Sequence, residues 1–408
     1  MPDLVPHSPL RVLHIVTELS KGGGFVSPME FAKNAADETG QVHEFLAIEP
    51  GSTVGIPIAS SIIVHQNRAR SYAECAAWIS RMRYDVLHWH WWSMSGPMTL
   101  LMAEMALVGG HKRIITCDVF PVSSRYRLGR REIAYADMIV FDGRDTYDSY
   151  SEIPLSQKEF VVGATNLTTY QRVHARSDDG KFRIGRGSYL HPLKCPTDLI
   201  ADIRGIMTEI PNAEFHIFGH GPLEQRMRKE IARYGLGCRV LMRGWVSDFA
   251  SEVAKLDLYY YPMPKESYAS SELNLQGVMA AEVPLVIIPS DGVKWMFKHG
   301  VDALVAQNRK ESLAFCKRLA TDPVERIRLA EGGRAKALAE FGVHNMVRGY
   351  LNRVYPQCVA RHPASGRVEF VSSANSVRFP ERLEMAARSL RSTTQALVKK
   401  CASIGFRR

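Results

Sequence analysis

Hydrophobic positions fall into two series of short, nearly continuous apolar runs separated by amphipathic stretches. The first run, RVLHIVT at residues 11–17, precedes three glycines, Gly22, Gly23 and Gly24, and then FVSPMEFAKNAA, which sets Phe31 and Ala35 on one helical face. A strand, a glycine loop and a helix in that order open a doubly wound α/β domain. VHEFLAI, SIIVH, DVLHWHW, KRIITCD and ADMIVFD read as further strands, with helices at SYAECAAWISRMR and GPMTLLMAEMAL. After an irregular polar segment from Gly163 to Lys181 a second series begins. Its strands are FRIGRG, AEFHIFG, CRVLMRG, LDLYYYP and PLVIIP, separated by helices such as PTDLIADIRGIMTEI and GPLEQRMRKEIARYG. Runs that are apolar on both faces are those of parallel strands covered by helices on each side. The pattern predicts two α/β domains of similar size. Open α/β sheets bind ligands beyond the carboxyl ends of their strands, so the glycine cluster and the loop after FRIGRG are expected to line one cleft.

Composition narrows the class. The 408 residues are 46% hydrophobic and 23% charged, ordinary values for a globular protein with substantial cores. No apolar run reaches the roughly 18–20 residues of a bilayer span, and MPDLVPHSPL lacks the charged and apolar regions of a signal peptide, so a cytoplasmic protein is expected. The seven cysteines form no CxxC pair, which argues against a zinc site and a disulfide framework. A formal charge of +10 points to anionic partners: nucleotide phosphates, acidic glycans, an anionic membrane surface or nucleic acid. Nucleic acid is the weakest of these, because the basic residues are spread and no recognised module is present. From Pro380 to Arg408, Leu383, Ala387, Leu390, Leu397 and Cys401 share one helical face among seven basic and two acidic residues. That segment either lies on an anionic membrane surface or covers the protein itself.

The candidate chemistry centres on FRIGRGSYLHPLKCP, residues 182–196. A strand end holds Arg186, whose guanidinium is a planar fork of donors, and the following loop brings up Lys194 as a compact charge. Two fixed cations suit a diphosphate. In HWHWW, alternation puts His88 and His90 on one strand face; flanked by tryptophans they read as packed structural residues, and no third metal ligand at suitable spacing is visible.

From FRIGRGSYLHPLKCPTDLI through AEFHIFGHGPL, RGWVSDFASEVAKLDLYYYP and SSELNLQGVMAAEVPLVI, the order of pieces resembles the second half of a GT-B glycosyltransferase, most nearly glycosyltransferase family 4. FGVHNMVRGYLNRVY is similar to that family's closing helix. KGGG, DVLHWHW and ITCDVFP carry a looser likeness in the first half, so the resemblance runs from about Arg11 to Tyr355. It implies two Rossmann-like domains facing a cleft: an acceptor-side domain at 1–168, a donor domain at 169–350, and a closing helix with a basic tail at 351–408. It implies a hexosyltransferase moving a sugar, with retention, from a nucleoside-diphosphate sugar, UDP or GDP foremost, to the hydroxyl of a glycan or lipid-linked acceptor in polysaccharide or glycolipid synthesis. No metal or other cofactor is implied, and the enzyme is expected to be cytoplasmic, with peripheral contact at the inner membrane face a further expectation.

Carried over to matching positions, Arg186 and Lys194 contact the diphosphate, the backbone of Gly22, Gly23 and Gly24 approaches it from the other domain, and Gly219 belongs to the Gly-x-Gly strand end. Trp245 and Val246 flank the base or else pack in the core. Ser270 and Ser271 cap an apolar helix, with Leu275 and Gln276 in its first turns near phosphate or ribose. Glu272 either accepts sugar or ribose hydroxyls or complements the helix dipole. The family's paired glutamates fall on Ala269 and Gly277, with Glu266 and Glu272 nearby; the small residue before Val-Pro is Glu282; the usual histidine before Asp118 is Cys117. Asp118 and Glu272 remain the candidate catalytic residues. These departures keep open a non-catalytic GT-B partner subunit that retains nucleotide binding, or a nucleotide-sugar epimerase.

Overall fold

A computed structural model describes residues 9–19, 23–49, 58–91, 96–123, 126–170 and 179–360. The basic segment beyond Pro380 and Gly22 of the glycine cluster lie outside these residues. Two parallel sheets organise the chain. The first contains β1 (Arg11–Val16), β2 (Val42–Ala47), β3 (Ile63–Gln66), β4 (Val86–Trp91), β5 (Lys112–Cys117), β6 (Met138–Phe141) and β7 (Lys158–Phe160), in the order β3-β2-β1-β4-β5-β6-β7. The second contains β8 (Phe182–Gly187), β9 (Ala213–Phe218), β10 (Val240–Gly244), β11 (Leu258–Pro262), β12 (Leu285–Ile288) and β13 (Leu304–Val305), in the order β10-β9-β8-β11-β12-β13. The doubly wound reading is correct for both halves. In each sheet the strand order reverses beside the first strand, between β1 and β4 and between β8 and β11, which is where such sheets open a ligand crevice.

Burial explains why the apolar runs are continuous. All six residues of β4 are buried: Trp89 and Trp91 enter one core with Leu13, Ile15 and Ile115, and the alternate residues enter the other face. That other face holds Val12, Phe31, Val86 and Ile114, and is completed by Met346, Val347, Tyr350, Val354 and Tyr355 from the far end of the chain. These come from the helices Val343–Gly349 and Tyr355–Ala360 and the π-type turn Tyr350–Val354 between them. The chain therefore returns to the first domain at Gly342, which bridges to Thr165, ahead of the boundary at 350 expected from the sequence.

The domains also meet across the carboxyl ends of their strands. Val119, just after β5, forms an antiparallel bridge with Ala269, and Phe120 N donates to the Tyr268 carbonyl at 2.7 Å. Trp295 Nε1 donates to the Ser270 carbonyl at 2.9 Å. At Gly143 a side chain would run into that same carbonyl, so close approach requires glycine there. Among the described residues no helix is long and apolar enough to cross a membrane.

Candidate functional site

The cationic loop forms as a strand end locked by its neighbours. Arg186, on β8, is wholly buried. Its Nη1 donates to Ser188 Oγ at 2.7 Å, its Nη2 to the Lys194 carbonyl at 2.8 Å, and its guanidinium lies 4.8 Å from the centre of the Tyr261 ring. The fork thus orders the loop that carries Lys194, while Nε has no hydrogen-bond partner among the described residues. Gly219 follows β9 with φ +107°, and a Cβ there would meet the Ser188 carbonyl, so glycine lets the two loops touch. Lys194 Nζ is ion-paired with Glu272 and lies 4.9 Å from the Tyr268 ring. Burial works against the lysine's charge, but Glu272, Tyr268 and Asp142 outweigh it and raise its pKa.

The helix expected to open on serine caps is Leu273–Ala280, with Glu272 at its N-cap position and no side-chain cap bond. Neither Ser270 nor Ser271 caps it, a correction to the sequence reading: the Ser271 hydroxyl is donated to Asp142 Oδ2 at 2.8 Å instead. Leu275 is a core residue, and Gln276 Nε2 donates to the Gly163 carbonyl at 2.8 Å, tying the helix to the segment between the domains. Trp245 is 53% exposed beyond β10, whereas Val246 packs against the core beneath. The expected glycine loop is shorter than read, since the helix Gly23–Thr39 already includes Gly23 and Gly24. Glu282 occupies left-handed backbone, φ +55°, and is ion-paired with Arg334, so the position that favours glycine holds an acidic residue with a partner.

Asp118 and Asp142, at the ends of β5 and β6, converge below the serines. Asp118 is raised well above the carboxylate range by burial and then by the charge of Asp142. Burial pushes Asp142 up to about 6 against the pull of Lys194 and the serine hydroxyls. Nothing in the sequence singled out Asp142. It is the polar last residue of ADMIVFD, a pattern shared with KRIITCD.

The histidine pair has a third member, contrary to the sequence reading. His14 on β1 pairs in register with His88, and ring nitrogens of His14, His88 and His90 lie within 4.8 Å of one another. His14 Nδ1 is 2.9 Å from His90 Nε2, and His14 Nε2 is 2.8 Å from His43 Nδ1. His88 Nε2 is 2.7 Å from Thr116 Oγ1, which also meets the Tyr350 hydroxyl at 2.8 Å. Burial drives all four imidazoles toward the neutral form, His43 to about 4 and His90 to about 3. A neutral imidazole donates once and accepts once, so His43, His14 and His90 form one directional chain. The His88 and His90 rings stack 4.3 Å apart.

This architecture is the GT-B fold, two Rossmann-like domains across a cleft. HepE of Anabaena, solved with UDP and glucose, superposes with a TM-score of 0.68 at 14% identity, over 84% of this chain and 98% of that one. Sucrose-phosphate synthase of Thermosynechococcus elongatus gives 0.70 at 15% identity over 86% and 99%. A variant of S. aureus TarM, in complex with Fondaparinux, α-GlcNAc-glycerol and UDP, gives 0.71 at 8% identity over 86% and 100%. More particularly, residues 184–322 of the second domain match the family profile described as Glycosyl transferases group 1. No curated protein matches the chain.

Proposed function

We propose that the protein is a glycosyltransferase that moves a sugar from a nucleoside-diphosphate sugar to an acceptor hydroxyl, with retention, in polysaccharide or glycolipid synthesis. The observation that carries this reading is Lys194, a partly buried cation held by one carboxylate on a loop that Arg186 orders, at the point where the second sheet reverses. A diphosphate has the charge to replace that carboxylate as the lysine's partner. Fixed positive charge then stabilises the departing diphosphate, and water is excluded between the domains. The UDP bound by HepE and by the TarM variant supports a nucleotide donor of this kind.

The experiment is thermal unfolding with UDP, GDP, ADP and TDP and their sugars. A ligand that binds only the folded state raises apparent stability, by about 2.7 kcal/mol at a hundred times its Kd. No shift with any of them removes the donor site.

A second reading, a GT-B partner subunit that binds nucleotide without turning it over, is favoured by Ala269 and Gly277 standing where the family has glutamates. Donor binding with neither transfer nor slow hydrolysis of the donor selects it.

A further inference from the structure

Away from the cleft, the first domain buries a cluster of imidazoles that the proposed transfer does not use. His88 and His90 stand two apart on β4 and so share one face of the sheet, and His14 on β1 lies beside His88 in register. His14 and His88 are fully buried and His90 is 2% exposed. One ring nitrogen from each lies within 4.8 Å of the other two. Neutral imidazoles gathered this closely on two neighbouring strands are the donor set of a zinc-type ion, which binds ring nitrogen at about 2.0–2.1 Å. Among the described residues no carboxylate joins the cluster, so it does not suit calcium or magnesium, which take oxygen ligands.

The surroundings also match a metal centre. A ligating histidine normally has its other ring nitrogen held by a fixed partner, which orients the ring. His14 Nε2 is held by His43 Nδ1 at 2.8 Å, and His88 Nε2 by Thr116 Oγ1 at 2.7 Å. His14 Nδ1 and His90 Nε2 face each other at 2.9 Å with one hydrogen between them. An ion takes the place of that hydrogen, which His90 then carries on Nδ1. Because His90 Nδ1 has no hydrogen-bond partner among the described residues, this change of tautomer breaks no other bond. No proton is lost and nothing is oxidised. Two nitrogens on a tetrahedral zinc are about 3.3 Å apart, so the His14 and His90 rings need open by only about 0.4 Å.

We propose that His14, His88 and His90 bind one divalent transition-metal ion, zinc foremost, which fastens β1 to β4 beneath the C-terminal segment. Three protein ligands leave the fourth position of the ion to water. The site lies in the core and its role is structural, so it stands independently of the donor-site reading. Tyr350 and Tyr355 pack on the His88 ring, so the ion enters as the chain folds, before these side chains close over it.

The test is metal analysis of the full chain, expressed without a polyhistidine tag in separate cultures supplemented with zinc or with cobalt, and dialysed against EDTA to strip surface ions. The expected result is about one ion per chain in the wild type, and less than about a tenth of that in His90→Gln, which keeps a polar side chain but removes a ligand. The cobalt-grown wild type should show the intense visible absorption of a tetrahedral ion. Should His90→Gln fail to fold, that spectrum alone decides, and its absence overturns the site. Equal metal in the wild type and a folded His90→Gln also overturns it, by placing the ion elsewhere. A wild type that holds neither zinc nor cobalt overturns it too, and leaves the histidines as a hydrogen-bonded chain.

Discussion

Lys194 and Glu272 form an ion pair that joins the loop after β8 to the N-terminus of the helix Leu273–Ala280. The lysine is therefore not a free cation waiting in a cleft. Anything that binds it competes with a carboxylate already in place, and breaking a buried pair from one side typically costs about 3–5 kcal/mol.

Glu272→Gln should consequently lower the melting temperature of the ligand-free protein and enlarge the stabilisation produced by UDP or GDP. The same substitution separates the two readings of Glu272. A sugar-binding role also requires weaker binding of the sugar nucleotide relative to the diphosphate, and a preference that does not change leaves only the pairing role.

Arg186 reaches the site through backbone as well as charge, since it holds the Lys194 carbonyl and Ser188 together. Arg186→Ala is expected to abolish most nucleoside-diphosphate affinity, at least about tenfold, the value of one or two charge-assisted hydrogen bonds. Arg186→Lys should rescue little, because a point charge cannot bridge both partners. An unchanged Kd in a folded variant takes the arginine out of the site.

The histidine chain makes a pH prediction. His14, His43, His88 and His90 have folded-state pKa values below their unfolded value of about 6.5, so the unfolded chain binds more protons at mildly acid pH. Their contribution to stability is complete above about pH 6.5 and is lost as pH falls toward 4. Asp118, Asp142 and Asp202 are raised by burial and oppose the trend, so the histidine contribution is isolated by comparing a histidine variant with the wild type. Urea unfolding at pH 7.5 and pH 5 should show the lower stability at pH 5. His14→Phe should flatten that slope, and a slope that stays the same would mean these histidines are not buried neutral.

For the basic C-terminal segment the expected result is that the chain ended at residue 380 floats with anionic liposomes less than the full chain does. The difference should shrink as salt is raised, since the attraction is screened over roughly 10 Å at 0.1 M. Equal flotation refutes a membrane role.

What the sequence disclosed, and what it hid, divides along one physical line. The strands were legible because burial on both faces writes itself as an unbroken apolar run, as in LDLYYYP and DVLHWHW. β7 and β13 are three and two residues long, too short for any pattern to show. The placing of Arg186 at a strand end with Lys194 in the loop that follows was legible because strand end and loop are contiguous. His14 was not, because its relation to His88 is a register between β1 and β4, separated by 74 positions. Asp142 was hidden for the same reason: its hydrogen-bond partner Ser271 lies in the other domain. The serines themselves misled, since SSE before an apolar run is the signature of a cap, and here the hydroxyl of Ser271 has a stronger partner across the cleft.

Tyr350 and Tyr355 pack against Phe31 and His88 in the core of the first domain, although they lie at the far end of the chain. During synthesis the first domain emerges with that face only partly covered, by the helix Gly23–Thr39, and it stays so until the whole second domain and some fifteen further residues have followed. The half of the protein that is made first is thus the half that is finished last. A sheet face bearing four histidines, covered at first only by the helix Gly23–Thr39, must wait for the rest of its cover through most of translation, and a nascent chain arrested before Gly342 should be a ready client for chaperones and proteases.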